Sequence, residues 1–376
     1  SGLADTVLRH NALVEAGDFF GSALAAGDFN GDGFDDLAVG EPGDSGINVG
    51  RVHVFYGGGA GIALQAGHNF MDPVQFSPED EFGTVLAAGN FNGDTFDDLA
   101  IGMPYDSPNW WEGDPSTGSV LIIEGANEGL RPSANPTLNY FLISQSDAQI
   151  PDTAEVGDLF GFALAVGNFN GDTQSIGNEV YDFDDLAIGI PGEDGVGAVL
   201  ILYGSQWNLL FGSNAFLGEF DWGSLPEPGD YFGWSLAAAD FDGNGADDLA
   251  IGAPFEDLGG RTDTGLVTVL YGQMFAGFNL SLNEWWSQAT IFGAGAALDY
   301  DHFGLALAGY RFDPHWDAVG APFGIASLVV GTPGMSNFQG GSTAIHGTTA
   351  GLSPVYSVAH YPPDFGAAPD PTTPGQ

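Results

Sequence analysis

Oxygen-bearing side chains alternate along a nine-residue turn that recurs in this sequence. In its first copy, Asp28, Asn30, Asp32 and Asp36 stand at positions 1, 3, 5 and 9. In a tightly curled turn, positions 1, 3 and 5 point inward together, and the Phe34 carbonyl at position 7 adds an oxygen. Calcium binds roughly six to eight such hard oxygens. The turn, which we call the acidic loop, therefore predicts a calcium site, whereas oxygen-only ligands disfavour zinc and copper.

The acidic loop has three further copies, so the sequence predicts about four Ca²⁺ ions. An insertion from Gln174 to Asp182 interrupts the third copy. A fifth copy has Arg311 at position 1, and we expect it to bind no metal. Ordinary Asp/Asn/Gly turns are the simpler alternative, but matched copies at equivalent places favour metal. The predicted ligands of copies two to four are Asn90, Asn92, Asp94, the Phe96 carbonyl and Asp98; Asn168, Asn170, Asp172 and Asp185; and Asp240, Asp242, Asn244, the Ala246 carbonyl and Asp248.

Each acidic loop occupies the same place in a longer repeat that begins with Phe-Gly. Four short strand-like segments separated by glycine-rich turns follow each Phe-Gly, and no segment shows helical periodicity. The pattern predicts an all-β fold, a β-propeller of five blades with four antiparallel strands each. We expect residues 1–365 to form this single domain, with the termini meeting in the last blade, and 366–376 to be a Pro-rich tail or linker. The repeats begin at Phe20, Phe82, Phe160, Phe232 and Phe303.

The charge of the chain limits its partners. Asp and Glu number 50, Lys and Arg number 5, and the formal net charge is -45. Such a chain cannot replace the counterions of nucleic acid, and no apolar stretch is long enough to insert into a membrane. It contains no cysteine for a disulfide. The first residue, Ser1, fits either removal of a signal peptide or an arbitrary start of the sequence. From the repeats and the acidity we expect a secreted or cell-surface protein.

The repeat resembles the FG-GAP repeat of the N-terminal β-propeller of integrin alpha subunits. The resemblance rests on Phe20-Gly21 and the three Phe-Gly pairs that follow it, and on the Gly-x-Pro that ends each second strand. The fourth copy has the literal Gly-Ala-Pro, at Gly252-Ala253-Pro254. The resemblance implies calcium-binding loops on one face of a propeller and partner binding on the other. The number of repeats differs, because the integrin propeller has seven blades and this sequence has five repeats.

Candidate ligand-binding residues lie outside the repeated pattern. Trp110 and Trp111 stand side by side in a long polar loop, where they could stack on a sugar or anchor a protein; alternatively they cover the edge of their blade. An aspartate two residues before every Phe-Gly suggests either an acidic funnel or a turn-forming residue. These aspartates are Asp18, Asp80, Asp158, Asp230 and Asp301.

The sequence favours an extracellular calcium-binding module for adhesion or for binding a protein or glycan ligand, and not an enzyme. No nucleophile, metalloprotease or phosphate-loop motif is present. A polysaccharide-acting enzyme stays open as an alternative, because propellers host both roles, and so does a passive surface or structural protein. An enzyme would need paired carboxylates in a cleft. The candidates for that pair are Asp106, Glu112, Glu193, Asp194, Glu256 and Asp257.

Overall fold

A computed structural model describes residues 17–43, 49–63, 68–70, 80–106, 117–130, 140–177, 179–219, 226–310, 325–334 and 340–360. Within these ranges the protein forms five four-stranded antiparallel sheets, each with its strands in chain order. The predicted all-β, propeller-type fold is therefore confirmed. Each sheet begins just after one of the five Phe-Gly pairs, and we call the sheets blades one to five.

The blades are built from short strands joined by tight turns. Blade one contains β1 (Leu24–Gly27), β2 (Asp36–Glu41), β3 (Arg51–Phe55) and β4 (His68–Phe70), and blade two contains β5 (Val85–Gly89), β6 (Asp98–Met103), β7 (Ser119–Ile123) and β8 (Tyr140–Ile143). Blade three contains β9 (Ala163–Gly167), β12 (Asp185–Ile190), β13 (Ala198–Tyr203) and β14 (Leu210–Gly218). Blade four contains β15 (Ser235–Ala239), β16 (Asp248–Ala253), β17 (Leu266–Leu270) and β20 (Glu284–Trp286). Blade five contains β21 (Ala306–Tyr310), β22 (Ser327–Thr332), β23 (Gly341–Thr348) and β24 (Gly351–His360).

Two hairpins and two short helical segments lie outside the five sheets. The insertion in the third repeat forms β10 (Thr173–Ile176) and β11 (Glu179–Asp182), and blade four adds β18 (Gly272–Gln273) and β19 (Gly277–Phe278). A 3-10 turn spans Glu193–Gly195, and an α-helix, α1, spans Gln288–Phe292.

The sequence shows no helical periodicity, and the structure nevertheless contains one short helix, α1. Ser287 and Thr290 form a capping box that starts this helix, and its five residues are too few to show periodicity. No helix in the described ranges has the length and apolarity needed to cross a membrane.

The hydrophobic core is divided into layers between neighbouring blades. The first layer joins Val52 and Val54 of blade one to Leu99 and Leu121 of blade two, and three similar layers follow. Because β6, β12 and β16 are covered on both faces, every residue in them is buried. This explains why their sequences read as unbroken apolar runs after the first aspartate.

Successive blades approach most closely where two glycines meet. A Cβ on Gly40 of β2 would clash with the carbonyl oxygen of Gly83, which follows Phe82 at the start of blade two. Nearby, the Phe82 N–H donates to the Val49 carbonyl at 3.1 Å. The Phe-Gly of one blade and the glycine of the preceding second strand are thus two halves of one contact. The pair recurs as Gly102 with Gly161, Gly189 with Gly233, and Gly252 with Gly304.

A second junction joins the blades at the opposite end of the first strands. The Asp28 N–H donates to Asp97 Oδ2 at 2.8 Å, and the Asp97 N–H donates to the Asp28 carbonyl at 3.1 Å. Asp97 is position 8 of its acidic loop, so this reciprocal pair links two acidic loops. The same pair joins Asn90 to Asp184 and Asn168 to Asp247.

Side chains at position 7 complete this junction. Phe96 covers Gly31 of the preceding loop, and a Cβ on Gly31 would clash with its ring. Phe183 covers Gly93 in the same way. Blade four has the small Ala246 at position 7, and Met274 of the β18–β19 hairpin covers Gly171 instead. A change of size at one position is therefore compensated within the same blade.

These junctions are not made between blade five and blade one in the described part of the chain. A Cβ on Gly21 would meet nothing within 4 Å, and Gly331, the counterpart of Gly40, faces only Ala306 of its own blade. Leu24 is 61% exposed and Tyr310 is 57% exposed on the outward sides of the two end blades. The described array is therefore open at both ends. The predicted meeting of the termini, the domain limits and the tail involve residues 1–16 and 361–376, which lie outside the described ranges.

The Asp184 carboxylate is expected to hold blade three against blade two. Asp184→Ala leaves the Asn90 N–H without its acceptor, which should lower the free energy of unfolding by about 1–3 kcal/mol. Asp35→Ala is the matched control, because Asp35 is the exposed position-8 residue of blade one and the described residues place no blade before it. Its effect should stay within about 0.5 kcal/mol. Chemical denaturation in saturating Ca²⁺ compares the two, and equal losses would contradict the assignment.

Candidate cation sites in the acidic loops

In the first acidic loop, the side chains at positions 1, 3 and 5 point into the turn. Asp28 accepts the Asp32 N–H at 3.1 Å and the Gly33 N–H at 2.7 Å. Asn30 also accepts the Asp32 N–H, at 2.9 Å, and Asp32 accepts the Phe34 N–H at 3.0 Å. These bonds hold the ligand oxygens on the concave side of the loop, where a cation would bind.

The other three loops share this pattern of hydrogen bonds. The position-3 oxygen accepts the position-5 N–H at 2.9 Å in each of them. In loops two and four the position-5 oxygen accepts the position-7 N–H, at 2.7 Å and 2.8 Å. In loop three the chain leaves at Asp172 through the β10–β11 hairpin and returns at Phe183, whose N–H donates to the Asp172 carbonyl.

The aspartate at position 9 fastens each loop to its blade. One carboxylate oxygen of Asp36 accepts the Phe29 N–H at 3.1 Å, and the other accepts the Gly57 N–H at 2.8 Å. Phe29 belongs to the loop and Gly57 follows the third strand. All four position-9 residues make both bonds and are at most 1% exposed; they are Asp36, Asp98, Asp185 and Asp248.

Blade four brings three carboxylates together. One oxygen from each of Asp240, Asp242 and Asp248 lies within 4.8 Å of the others. Burial raises the pKa of Asp248 to about 8, and the neighbouring charges of Asp242 and Asp240 add to this effect. Burial also raises the pKa of Asp242. A divalent cation would remove this repulsion, and three carboxylates are a donor set that Ca²⁺ accepts.

Loops two and three offer buried oxygens that no hydrogen bond satisfies. The Asn90 amide nitrogen donates to the Asp94 carbonyl at 2.8 Å, while its oxygen is buried without a hydrogen-bond partner. Asp172 Oδ1 is likewise buried without a partner. Buried polar atoms normally have a partner, so these oxygens fit a cation in loops two and three.

The predicted residues differ in what the structure places together. In loop four, three carboxylate oxygens lie within 4.8 Å of one another. In loop one, the carboxylates of Asp28, Asp32 and Asp36 do not come this close together. Burial raises the pKa of Asp36 to about 6. The predicted carbonyl ligands stay predictions. Arg311, Trp110 and Trp111 lie outside the described residues.

The aspartates before each Phe-Gly are buried rather than arranged as an open funnel. All five are at most 5% exposed. Asp158, Asp230 and Asp301 each accept the N–H of the residue three positions earlier, at 2.5–2.7 Å. This geometry agrees with the turn-forming alternative. Sequence reasoning missed the position-8 aspartates of the blade junctions, although the repeated Asp-Asp at positions 8 and 9 was a visible signal.

Comparison with known proteins agrees with the repeat architecture. The FG-GAP repeat family model matches residues 20–55, 82–123 and 232–270. Integrin alpha-PS2 of Drosophila melanogaster is 31% identical over 257 residues, covering 66% of this chain and 16% of that protein. Phosphatidylinositol-glycan-specific phospholipase D of Rattus norvegicus is 32% identical over 201 residues, covering 52% of this chain and 21% of that protein.

A third relative shows the same partial overlap. Integrin alpha-5 of Xenopus laevis is 29% identical over 239 residues, covering 62% of this chain and 20% of that protein. The chain thus spans about a fifth of the length of the relatives it matches. The Phe-Gly and Gly-x-Pro pieces of blades one, two and four lie inside the segments that the family model matches. The chain therefore contains FG-GAP repeats and resembles the integrin alpha subunits in these repeats.

Proposed function

We propose that this chain is an extracellular, calcium-stabilised ligand-binding module of the adhesion type, secreted or at the cell surface. The observation that carries the proposal is the convergence of Asp240, Asp242 and Asp248 within 4.8 Å. It is supported by the buried, unpartnered oxygens of Asn90 and Asp172. In loops one to four, Ca²⁺ is bound by the side chains at positions 1, 3, 5 and 9.

Calcium in these loops stabilises the array because the loops also form the blade junctions. Asp28, Asn90 and Asn168 each stand at position 1 of a loop and bond to the position-8 aspartate of the next blade. Four Ca²⁺ ions would change the net charge from -45 to -45 + 8 = -37. The chain therefore stays acidic, which favours a cationic or neutral ligand such as a basic protein surface or a glycan.

The ligand is an extracellular protein or glycan, and we assign Trp110 and Trp111 to its binding. This assignment rests on the sequence, where two adjacent tryptophans interrupt a polar loop between the second and third strands of blade two. The similarity to integrin alpha subunits supports an adhesion role over a passive structural one.

An enzymatic role is the second candidate, because relatives include a phospholipase D. Of the six carboxylates considered for a polysaccharide-acting site, three are buried, Asp194 and Asp257 are exposed, and Glu112 lies outside the described residues. Asp106, Glu193 and Glu256 are at most 4% exposed, and the Ser119 hydroxyl donates to Asp106 at 2.6 Å. Such buried groups serve turns and blade junctions. We therefore propose a binding module and not an enzyme.

Calcium binding by the first loop is testable with two exposed residues only three positions apart. Asp32→Ala removes a proposed ligand and should lower the bound calcium, measured by equilibrium dialysis, by one ion per chain. Asp35→Ala, in the same loop but not a ligand, should leave the count unchanged.

Chelation with EDTA should lower the melting temperature of the native protein, because a ligand that binds only the folded state stabilises it. A melting temperature that stays the same after EDTA is added would refute the proposal.

The metal-free protein should lose stability as the pH rises. Burial raises the pKa of Asp36 to about 6 and of Asp185 and Asp248 to about 8. A carboxyl whose pKa is raised by folding stabilises the protein while protonated, so this contribution fades between about pH 4 and pH 8. Calcium needs the ionised carboxylates, so its stabilising effect should grow over the same range. Melting temperatures in EDTA and in Ca²⁺ should therefore diverge with rising pH, and parallel curves would contradict this expectation.

The tryptophan loop can be tested on a glycan array and an array of extracellular protein domains. Trp110→Ala and Trp111→Ala should each abolish the binding shown by the native chain, because a stacked or buried aromatic anchor carries most of the binding energy. Trp207→Ala is the control, since Trp207 is 80% exposed elsewhere on the surface. Binding that survives both loop variants would exclude Trp110 and Trp111.

A further inference from the structure

Three buried carboxylates meet where blade three joins blade four. Glu219, Asp230 and Glu256 are 1%, 2% and 4% exposed, and one oxygen from each lies within 4.8 Å of the others. Asp230 precedes the strand β15, whereas the acidic loop of blade four follows it. The cluster is therefore separate from the loop sites and lies at the other end of that strand.

Within the described residues, neither carboxylate oxygen of Glu219 accepts a hydrogen bond, and both oxygens are buried. By contrast, Asp230 accepts the Glu227 N–H at 2.5 Å. Burial, followed by the charges of Glu256 and Asp230, raises the pKa of Glu219. An isolated buried carboxylate is costly unless a cation or a proton compensates it.

Strand register identifies the counterparts of Glu219 in the neighbouring blades. Val199 of β13 pairs with Leu217, and Glu219 stands two residues beyond that partner. The equivalent third-strand valines, Val120 and Val267, pair with Ile143 and Trp286. Two residues beyond these partners stand Gln145 and Gln288. Blades two and four thus have glutamine at this place and blade three has glutamate, while Asp72, at the equivalent place of blade one, lies outside the described residues.

Both glutamines donate to an acidic residue of the next blade. The Gln145 amide nitrogen donates to Glu193 of blade three. With its amide turned so that the nitrogen faces acceptors, Gln288 donates to Asp301 Oδ2 and to the Ala296 carbonyl. The glutamine nitrogen therefore supplies the donor that a buried acidic junction needs. Glutamate has the same shape but no such donor, so the blade-three junction needs a positive group in its place.

We propose that Glu219, Asp230 and Glu256 form a buried divalent-cation site that joins blade three to blade four. Three hard carboxylate oxygens select Ca²⁺, Mg²⁺ or Mn²⁺ over zinc or copper. All three oxygens can reach one ion, because ligands at about 2.3–2.6 Å from Ca²⁺ are at most about 5.2 Å apart and these oxygens lie within 4.8 Å of one another. The ion takes the place of the amide donors of Gln145 and Gln288.

The surroundings hold the three ligands in place. The Glu256 carbonyl accepts the Gly265 N–H at 3.1 Å, which fixes its backbone. Tyr231, Trp234 and Phe255 form an aromatic cluster beside Asp230 and Glu256, with ring centroids 5.3–5.8 Å apart. Tyr231 follows Asp230 and Phe255 precedes Glu256 in the chain, so we expect these rings to sensitise a luminescent ion bound at the site.

Glu219→Gln tests the site because it recreates the side chain found at the two equivalent junctions. In equilibrium dialysis of the full chain with Ca²⁺ alone, the variant should bind one ion fewer than the native protein. Tb³⁺ luminescence sensitised by Tyr231 and Trp234 should fall in parallel. In EDTA the variant should melt at a higher temperature than the native protein, because an uncompensated buried carboxylate has been removed. A purely structural role for Glu219 would give the opposite shift.

The double variant Asp32→Ala/Glu219→Gln separates this site from the acidic loops. It should bind two ions fewer than the native chain, whereas Asp32→Ala alone loses one. An unchanged calcium count for Glu219→Gln would overturn the proposal, and the three carboxylates would then share a proton instead of a metal ion. This outcome does not depend on how many ions the acidic loops bind. Should Glu219→Gln fail to fold, Glu256→Gln decides by the same count.

Discussion

The structure depends on how closely one blade approaches the next. At each junction the carbonyl oxygen of the Phe-Gly glycine occupies the space where the preceding second strand would carry a side chain. Only glycine at positions such as Gly40 permits this approach. The apolar layers between blades, with Phe82 and its counterparts fully buried, follow from it. The two named pieces of the repeat are therefore one interface divided between neighbouring blades.

Carboxylates also hold the blades together, some through hydrogen bonds from backbone N–H groups and others with too few such donors. The position-9 aspartates are satisfied by two backbone N–H groups each, and the position-8 aspartates receive one from the preceding blade. Other carboxylates, such as Asp172 and Glu219, have fewer hydrogen-bond donors than oxygens within the described residues. The chain has 5 lysine or arginine residues against 50 acidic ones, so metal ions are the natural source of positive charge for these groups.

The sequence predicted the blades because Phe-Gly, the acidic loop and the apolar second strand recur with fixed local spacing. It could not reveal that Asp184 bonds to Asn90, because that contact joins residues 94 positions apart. The equivalence of Glu219 with Gln145 and Gln288 was hidden for a related reason. The fourth strands vary in length and sequence, and only their pairing with the third strands aligns them. The helix α1 escaped notice because a single capped turn leaves no periodic pattern.

The open ends of the described array have a consequence for its cooperativity. In a repeat array, each unit is stabilised by its own folding energy and by its nearest neighbours. Within the described residues, blades two, three and four are packed on both sides, whereas blades one and five, with Leu24 and Tyr310 exposed, are packed on one side. Local unfolding should thus begin at the two ends and move inward. The middle of the chain then forms the slowest-exchanging foldon.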